Sequence, residues 1–210
     1  MSSSLGSIFR IHTFGESHGP AVGVVIDGCP PRLPITSEEI QSDLDRRRPG
    51  QSSLVTQRDE KDAVEVLSGW KNGLTLGTPL ALLVRNQDHI SGAYDHLKDV
   101  YRPSHADFTT DQKYGIRAHE GGGRSSARET IGRVAAGAVA RKLLSISAGV
   151  QVLAWVHQIH NISGSYEINK ITLDHVESSP TRCPDPSAAT KMTKAIEKAR
   201  RDGDSLGGIV

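Results

Sequence analysis

The chain has 210 residues, room for one large domain or two small ones, and its 36% hydrophobic and 23% charged residues are ordinary for a water-soluble globular protein. Twenty-five Lys and Arg against 24 Asp and Glu leave a net charge of +1, so no global field is aimed at nucleic acid or at a membrane surface. No apolar run reaches the ~18 residues of a membrane helix, and with only 4% aromatic residues the chain offers few platforms for base stacking.

Met1 to Leu5 (MSSSL) shows neither a secretory apolar region nor a long Arg/Ser-rich transit segment. Ala21 to Gly28 (AVGVVIDG) is β-branched, bounded by Gly and Pro, and predicts a strand. Thr36 and Glu39 form a T-x-x-E capping box that opens a helix, with Ile40 and Leu44 on one face and Pro49-Gly50 as its stop. Ala63 to Ser68 and Leu80 to Arg85 predict further strands. From Asn86 to Gly123 there is little periodicity, which points to long functional loops. Ser126 and Glu129 form a second capping box, followed by Ile131, Val134, Ala135, Ala138, Val139 and Leu143 at helical spacing; this helix is expected to run to about Ser147 and end at Gly149.

Val150 to Val156 predicts a strand, and Asp185-Pro186 opens a third helix with an apolar stripe of Met192, Ala195, Ile196 and Ala199, stopped at Gly203. Leu206 to Val210 (LGGIV) begins another strand and stops inside its apolar run, so we expect residues 1–210 to be a single domain that continues in the natural protein. Cys29 and Cys183 are the only cysteines and have no metal-ligand spacing, so they read as reduced thiols of a cytoplasmic protein, or of a plastid protein whose transit peptide has been removed. No metal site is expected. His157 and His160 have no third ligand beside them and are expected to be surface residues.

Four segments carry chemistry that packing does not ask for. In Gly15-Glu16-Ser17-His18-Gly19 a tight turn presents an imidazole, a side chain that exchanges protons near neutral pH. Asp45-Arg46-Arg47-Arg48-Pro49-Gly50 ends a helix with three guanidiniums that fan out at about 100° per residue, so at least one faces inward or toward a neighbouring loop. Arginine suits bidentate capture of phosphate or carboxylate, although a solvated helix end explains the run equally well. Tyr101-Arg102-Pro103-Ser104-His105-Ala106-Asp107 places Arg, His and Asp in one loop. In Gly121-Gly122-Gly123-Arg124-Ser125-Ser126, glycines permit close backbone approach and the chain then enters a helix with free N–H groups, a cradle for a polyanion or a flavin edge. From Arg102 to Lys142 eight Lys and Arg stand against four Asp and Glu, a local charge of +4 that favours a small polyanionic ligand over nucleic acid. Neither a P-loop nor a G-x-G-x-x-G turn is present.

Across its whole length the chain resembles the chorismate synthase family. The resemblance rests on TFGESHG (Thr13 to Gly19), DLDRRRPGQS (Asp43 to Ser52), RPSHAD (Arg102 to Asp107), GGGRSSARETIGRVAAGA (Gly121 to Ala138), CPDP (Cys183 to Pro186) and GDSLGG (Gly203 to Gly208). It implies an α+β fold, a sandwich of antiparallel sheets with surrounding helices, incomplete at the carboxyl terminus. It also implies a lyase that converts 5-enolpyruvylshikimate 3-phosphate to chorismate and phosphate by 1,4-anti elimination, with reduced FMN as cofactor. On the matching positions His18 and His105 would be the catalytic proton donors, Arg46, Arg47, Arg48 and Arg102 would bind substrate, and Arg124, Ser125 and Ser126 would bind FMN. A small-molecule substrate, no nucleic acid or membrane partner, and a homotetramer at full length follow from the same likeness. Whether NADPH reduces the flavin stays open, as does a rival reading in which these residues form a truncated, non-catalytic module that binds FMN or phosphate. Two departures stand out: Ser53-Leu54 where the family commonly has Arg, and Ala118-His119-Glu120 where bacterial members have Asp-Tyr-Arg. The first removes an expected cation, and the second sets a carboxylate beside an anion site.

Overall fold

The structure is a computed structural model that describes residues 3–52, 54, 60–87 and 91–210, without the side chains of 91–93. The chain divides into two compact units. The first joins Met1–Pro49 to Gln57–Val150, the second joins Gly50–Thr56 to Gln151–Val210, and each is described by itself.

The first unit is built on β1 (Ser4–Leu5), β2 (Arg10–Gly15), β3 (Ala21–Asp27), α1 (Ser37–Arg47), β4 (Val64–Ser68), a small β5–β6 pair (Trp70–Lys71 and Leu74–Thr75), β7 (Leu80–Arg85), α2 (Asp107–Tyr114) and α3 (Thr130–Ala148). Five strands form one antiparallel sheet in the order β1-β2-β3-β7-β4, with Val24 opposite Thr13 on one side and Leu82 on the other. Alternation directs Val22, Val24 and Ile26 of β3 and Leu80, Leu82 and Val84 of β7 to one face, where all six are buried. Ile40 and Leu44 of α1 and Ile131, Ala135, Ala138 and Val139 of α3 belong to the same core. At about 25 cal/mol per Å² of apolar surface, full burial of a chain such as Leu44 stabilises the unit by about 2 kcal/mol.

Small residues set how closely α3 approaches the sheet. A Cβ on Gly132 would lie 2.7 Å from the Gly23 carbonyl oxygen, so helix and strand meet backbone to backbone.

Thr36 caps α1 as expected: its hydroxyl accepts from the Glu39 N–H, and the Glu39 carboxylate accepts from the Thr36 N–H. The second expected capping box does not form. Ser126 accepts from the Arg128 N–H and opens a single 3-10 turn, while the Glu129 carboxylate accepts from the Thr13 hydroxyl instead of reaching back. The α3 that follows ends on a left-handed Gly149, as its sequence predicts.

The second unit contains a three-stranded sheet of β8 (Gln158–Ile159), β9 (Ile162–Ser163) and, after α4 (Leu173–Glu177) and α5 (Pro186–Arg201), β10 (Gly208–Ile209), in the order β10-β8-β9. Asp185 caps α5 by accepting from the Ser187 and Ala188 N–H groups, Pro186 occupies its first turn, and Met192 and Ala199 are buried as the stripe predicts. The strand expected at Val150 to Val156 is absent: the segment is β-branched but pairs with no strand edge, and the Val156 N–H donates to the Arg182 carbonyl in a loop. Both cysteines are buried free thiols, and burial raises the pKa of each. Among the described residues no helix is long and apolar enough to cross a membrane.

Candidate active site

The site is assembled in the first unit from three loops. The β2–β3 connection is a tight turn, with Gly15 at φ 92° and the Gly19 N–H donating to the Glu16 carbonyl. It is held from outside by Asn86, just after β7, whose side-chain amide donates to the carbonyl oxygens of Glu16 (2.9 Å) and Gly19 (2.6 Å). The Asn86 side-chain oxygen in turn accepts from Arg128 Nε, so a buried arginine orients the amide that orients the turn. On this turn His18 Nδ1 lies 3.1 Å from the Ser17 hydroxyl, and its ring meets Tyr94 edge-on at 4.9 Å.

The second loop enters α2. Asp107, 3% exposed, accepts from the Arg102 N–H (3.1 Å), Nε (2.8 Å) and Nη2 (2.7 Å), a bidentate grip that holds its carboxyl well below the usual carboxylate range. Ser104 adopts a left-handed φ of 57°, which turns the chain sharply just before His105.

The third loop is the glycine run. Gly121, Gly122 and Gly123 all have positive φ, and each lies against one polar side chain from the other two loops. A Cβ on Gly121 would lie 1.9 Å from His18 Nδ1, one on Gly122 would lie 2.5 Å from His105 Cε1, and one on Gly123 would lie 2.3 Å from Glu16 Oε2. Two imidazoles and a carboxyl group of the protein itself thus rest on the glycine run. Glu16 Oε2 is buried without a hydrogen-bond partner among the described residues. Burial raises the Glu16 pKa, while the Arg124 charge and the Arg124 backbone N–H that donates to its carboxylate work against that rise.

Beside the run is a cavity of about 650 Å³, lined by Glu16, Gly122, Gly123, Arg124 and Ser125 on one side and by Ala106, Asp107, Thr110, Tyr114, Ile116 and Arg117 of the α2 region on another. Its size suits a cofactor-sized molecule, and its lining carries both signs, Arg117, Arg124 and Arg133 beside Glu16, Asp107 and Glu129. Of the expected site residues, Arg124 and Ser125 line it; His18, His105, Ser126, Arg46, Arg47, Arg48 and Arg102 do not, although His105 lies against Gly122 of its wall.

The expected anion-binding arginines are largely engaged by the protein itself. Arg47 donates to Asp62 Oδ2 (2.9 Å), the Thr130 hydroxyl (3.2 Å) and the Ala127 carbonyl (3.1 Å), which ties α1 to the start of α3. Arg46 lies 3.5 Å from Asp43, and Arg48 caps α1 through its backbone N–H. Arg102 is bound to Asp107, and Arg124 donates to the carbonyls of Gly15 and Thr13, the Thr13 hydroxyl and Glu129. Two buried acids behind this arrangement, Glu60 and Asp62, both receive the Arg128 guanidinium, and Asp62 also receives Arg47. Sequence reasoning missed Asn86, Glu60 and Asp62, because each acts through a partner at least 15 residues away.

Of the two departures, Ser53 lies outside the described residues. Ala118 lines the cavity, and Glu120 lies 3.5 Å from His119 Nδ1. Of the two histidines expected at the surface, His160 is exposed and His157 half-buried, its Nδ1 2.6 Å from the Tyr166 hydroxyl, which also accepts from Trp155 Nε1.

The first unit thus brings two imidazoles and a carboxyl group onto a glycine run beside a cavity. The family model for chorismate synthase matches residues 9–210. Curated chorismate synthases from Prochlorococcus marinus (strain AS9601), Akkermansia muciniphila and Synechococcus elongatus are 56%, 59% and 59% identical over the whole of this chain. A crystal structure of a chorismate synthase superposes with a TM-score of 0.70 at 32% identity, over 96% of this chain and 56% of that one. The chain belongs to the chorismate synthase family and has its α+β fold. It spans 58% of the length of these curated relatives.

Proposed function

We propose that the protein containing this chain is a lyase that eliminates phosphate from 5-enolpyruvylshikimate 3-phosphate to give chorismate, with reduced FMN as cofactor. The observation that carries this reading is the placement of His18, His105 and Glu16 on three consecutive glycines. A phosphorylated enolpyruvyl ester is a multiply charged anion whose leaving group needs a proton, and two imidazoles on one backbone surface can supply protons to neighbouring points.

His18 would protonate the departing phosphate. Its Nδ1 faces both the Ser17 hydroxyl and the Gly121 backbone. His105 would hold a proton next to the cofactor edge. Arg124 and Ser125, in the cavity lining, and Ser126 beside them would hold FMN, which supplies electron density to the substrate when bound. Arg46, Arg47, Arg48 and Arg102 would bind the substrate's anionic groups. For Arg47 this requires exchanging Asp62 for substrate oxygens, an exchange that a trianionic ligand favours and a neutral analogue does not, whereas Arg102 would keep Asp107 and reach the substrate with its remaining amino group.

The test is direct. The full-length protein, incubated anaerobically with 5-enolpyruvylshikimate 3-phosphate and reduced FMN, is expected to release chorismate and phosphate, and its failure to do so would sink the reading. Flavin titration of residues 1–210 separates the rival: tight binding by this chain, with no turnover at full length, makes it a binding module. Anaerobic NADPH oxidation shows whether the protein reduces its own flavin, and sedimentation of the full-length protein tests the homotetramer.

A further inference from the structure

The Arg102–Asp107 loop holds one carboxylate that has no part in the chemistry described so far. Besides its three bonds from Arg102, Asp107 faces His105 Nδ1 at 3.3 Å from Oδ1 and Arg117 Nη1 at 3.4 Å from Oδ2. Both nitrogens are buried, and neither makes a hydrogen bond among the described residues. Arg117 is anchored by its other amino group, which donates to the carbonyls of Leu97, Lys98 and Val100. The carboxylate therefore has guanidiniums on two sides and an imidazole on a third.

A neutral imidazole carries its proton on one nitrogen only, and the field at each nitrogen decides which. A carboxylate oxygen opposite Nδ1 attracts an N–H and repels a lone pair. The Cε1–Nε2 edge of the ring faces Gly122, whose Cβ position is 2.5 and 3.0 Å from those atoms. The geometry points to Asp107 as a positioning residue: it fixes His105 as the tautomer protonated at Nδ1 and leaves Nε2 as the nitrogen that exchanges a proton with a ligand on the glycine run. Arg102 and Arg117 keep the carboxylate ionised and in register for that task. This inference rests on the reading of His105 as a proton donor, and extends it by naming the atom and the group that selects it.

The experiment uses full-length protein labelled with ¹⁵N-histidine, in which long-range ¹H–¹⁵N correlations report which ring nitrogen carries the proton. The spectrum of His105→Gln identifies the signal. Wild-type His105 is expected to be protonated at Nδ1 when neutral. In Asp107→Asn, whose amide can donate to Nδ1, the proton is expected to move to Nε2, and turnover to fall by on the order of 10²-fold. Wild-type His105 protonated at Nε2 overturns the inference whether or not the variant folds, and so does an unchanged tautomer in folded Asp107→Asn. Absence of chorismate production with the expected tautomer defeats the functional reading alone and supports the role of Asp107 in orienting the ring.

Discussion

His18 and His105 rest on adjacent glycines, yet the two loops that carry them are held by opposite kinds of force. The His18 turn is pinned by a neutral amide, Asn86, which donates to two backbone carbonyls. The His105 loop is pinned by charge, with Asp107 gripped by Arg102 and faced by Arg117. Hydrogen bonds from an amide are indifferent to pH and little affected by salt, whereas an ion-paired carboxylate depends on its protonation state and is less screened the deeper it lies. The difference teaches that one imidazole stands on a rigid backbone turn and the other in an electrostatic cage.

The largest expected effect removes the surface both rings share. Gly121→Ala and Gly122→Ala put a methyl group where His18 and His105 now lie, at φ values of 62° and 92°. Each is expected to lower turnover of the full-length protein by on the order of 10²-fold, and the left-handed backbone adds a stability cost of about 1–2 kcal/mol. Full activity in either variant would show that the glycines do not set the ring positions.

Asn86→Ala tests the neutral arm. It strips two carbonyls of a donor and leaves the buried Arg128 Nε without its acceptor, so urea denaturation should show a loss of about 2–3 kcal/mol, with the His18 signals perturbed and the His105 signals unmoved. Equal perturbation of both rings would break the comparison.

The charged arm is probed by acid. Because the folded-state pKa of Asp107 lies below its ordinary 3.8, its contribution to stability is fully present above 3.8 and is lost only as pH falls through the depressed value. The denaturation midpoint of wild type should therefore exceed that of Asp107→Asn by a constant margin from pH 7 down to about 4, and the margin should shrink below that. A margin that closes between pH 7 and 5 would contradict the cage.

Glu16 gives the smallest effect and the opposite sign. Burial raises its pKa above 4.5, so its ionised form costs stability at neutral pH and the cost vanishes below 4.5. Glu16→Gln should slightly raise the denaturation midpoint at pH 7 and match wild type at pH 4, and a lower midpoint at pH 7 would reverse the assignment.

The parts of this molecule legible in its sequence are those decided by near neighbours. Thr36 with Glu39, Asp185 with Pro186, the β-branched run of β3 and the apolar run of β7 each carry their signal within a few residues, and each forms as the sequence predicts. What was hidden depends on distant partners. Glu129 looks like a capping residue but is taken by Thr13, 116 positions away, and Val150 to Val156 has the composition of a strand without an edge to join. α2 has too weak an apolar face to show as a helix; its first residue is the buried Asp107. The site was legible in its residue types and not in their use. Arg47, Arg102 and Arg124 read as ligand binders, whereas their donors meet Asp62, Asp107 and the β2 backbone; Asp107 is a near neighbour, but Asp62 and the β2 backbone are partners that only the fold brings within reach.

The contact between Gly23 and Gly132 has a consequence for how this family can change. Because a Cβ on Gly132 would meet the Gly23 carbonyl rather than a movable side-chain end, enlarging Gly132 must lift α3 off the sheet, and shrinking a neighbouring side chain cannot compensate. The helix start just upstream of Gly132, and the glycine run leading into it, thus inherit their height above β3 from a fixed bearing surface. Substitutions elsewhere in the core can adjust stability while that datum, and the spacing of the two imidazoles measured from it, stays put.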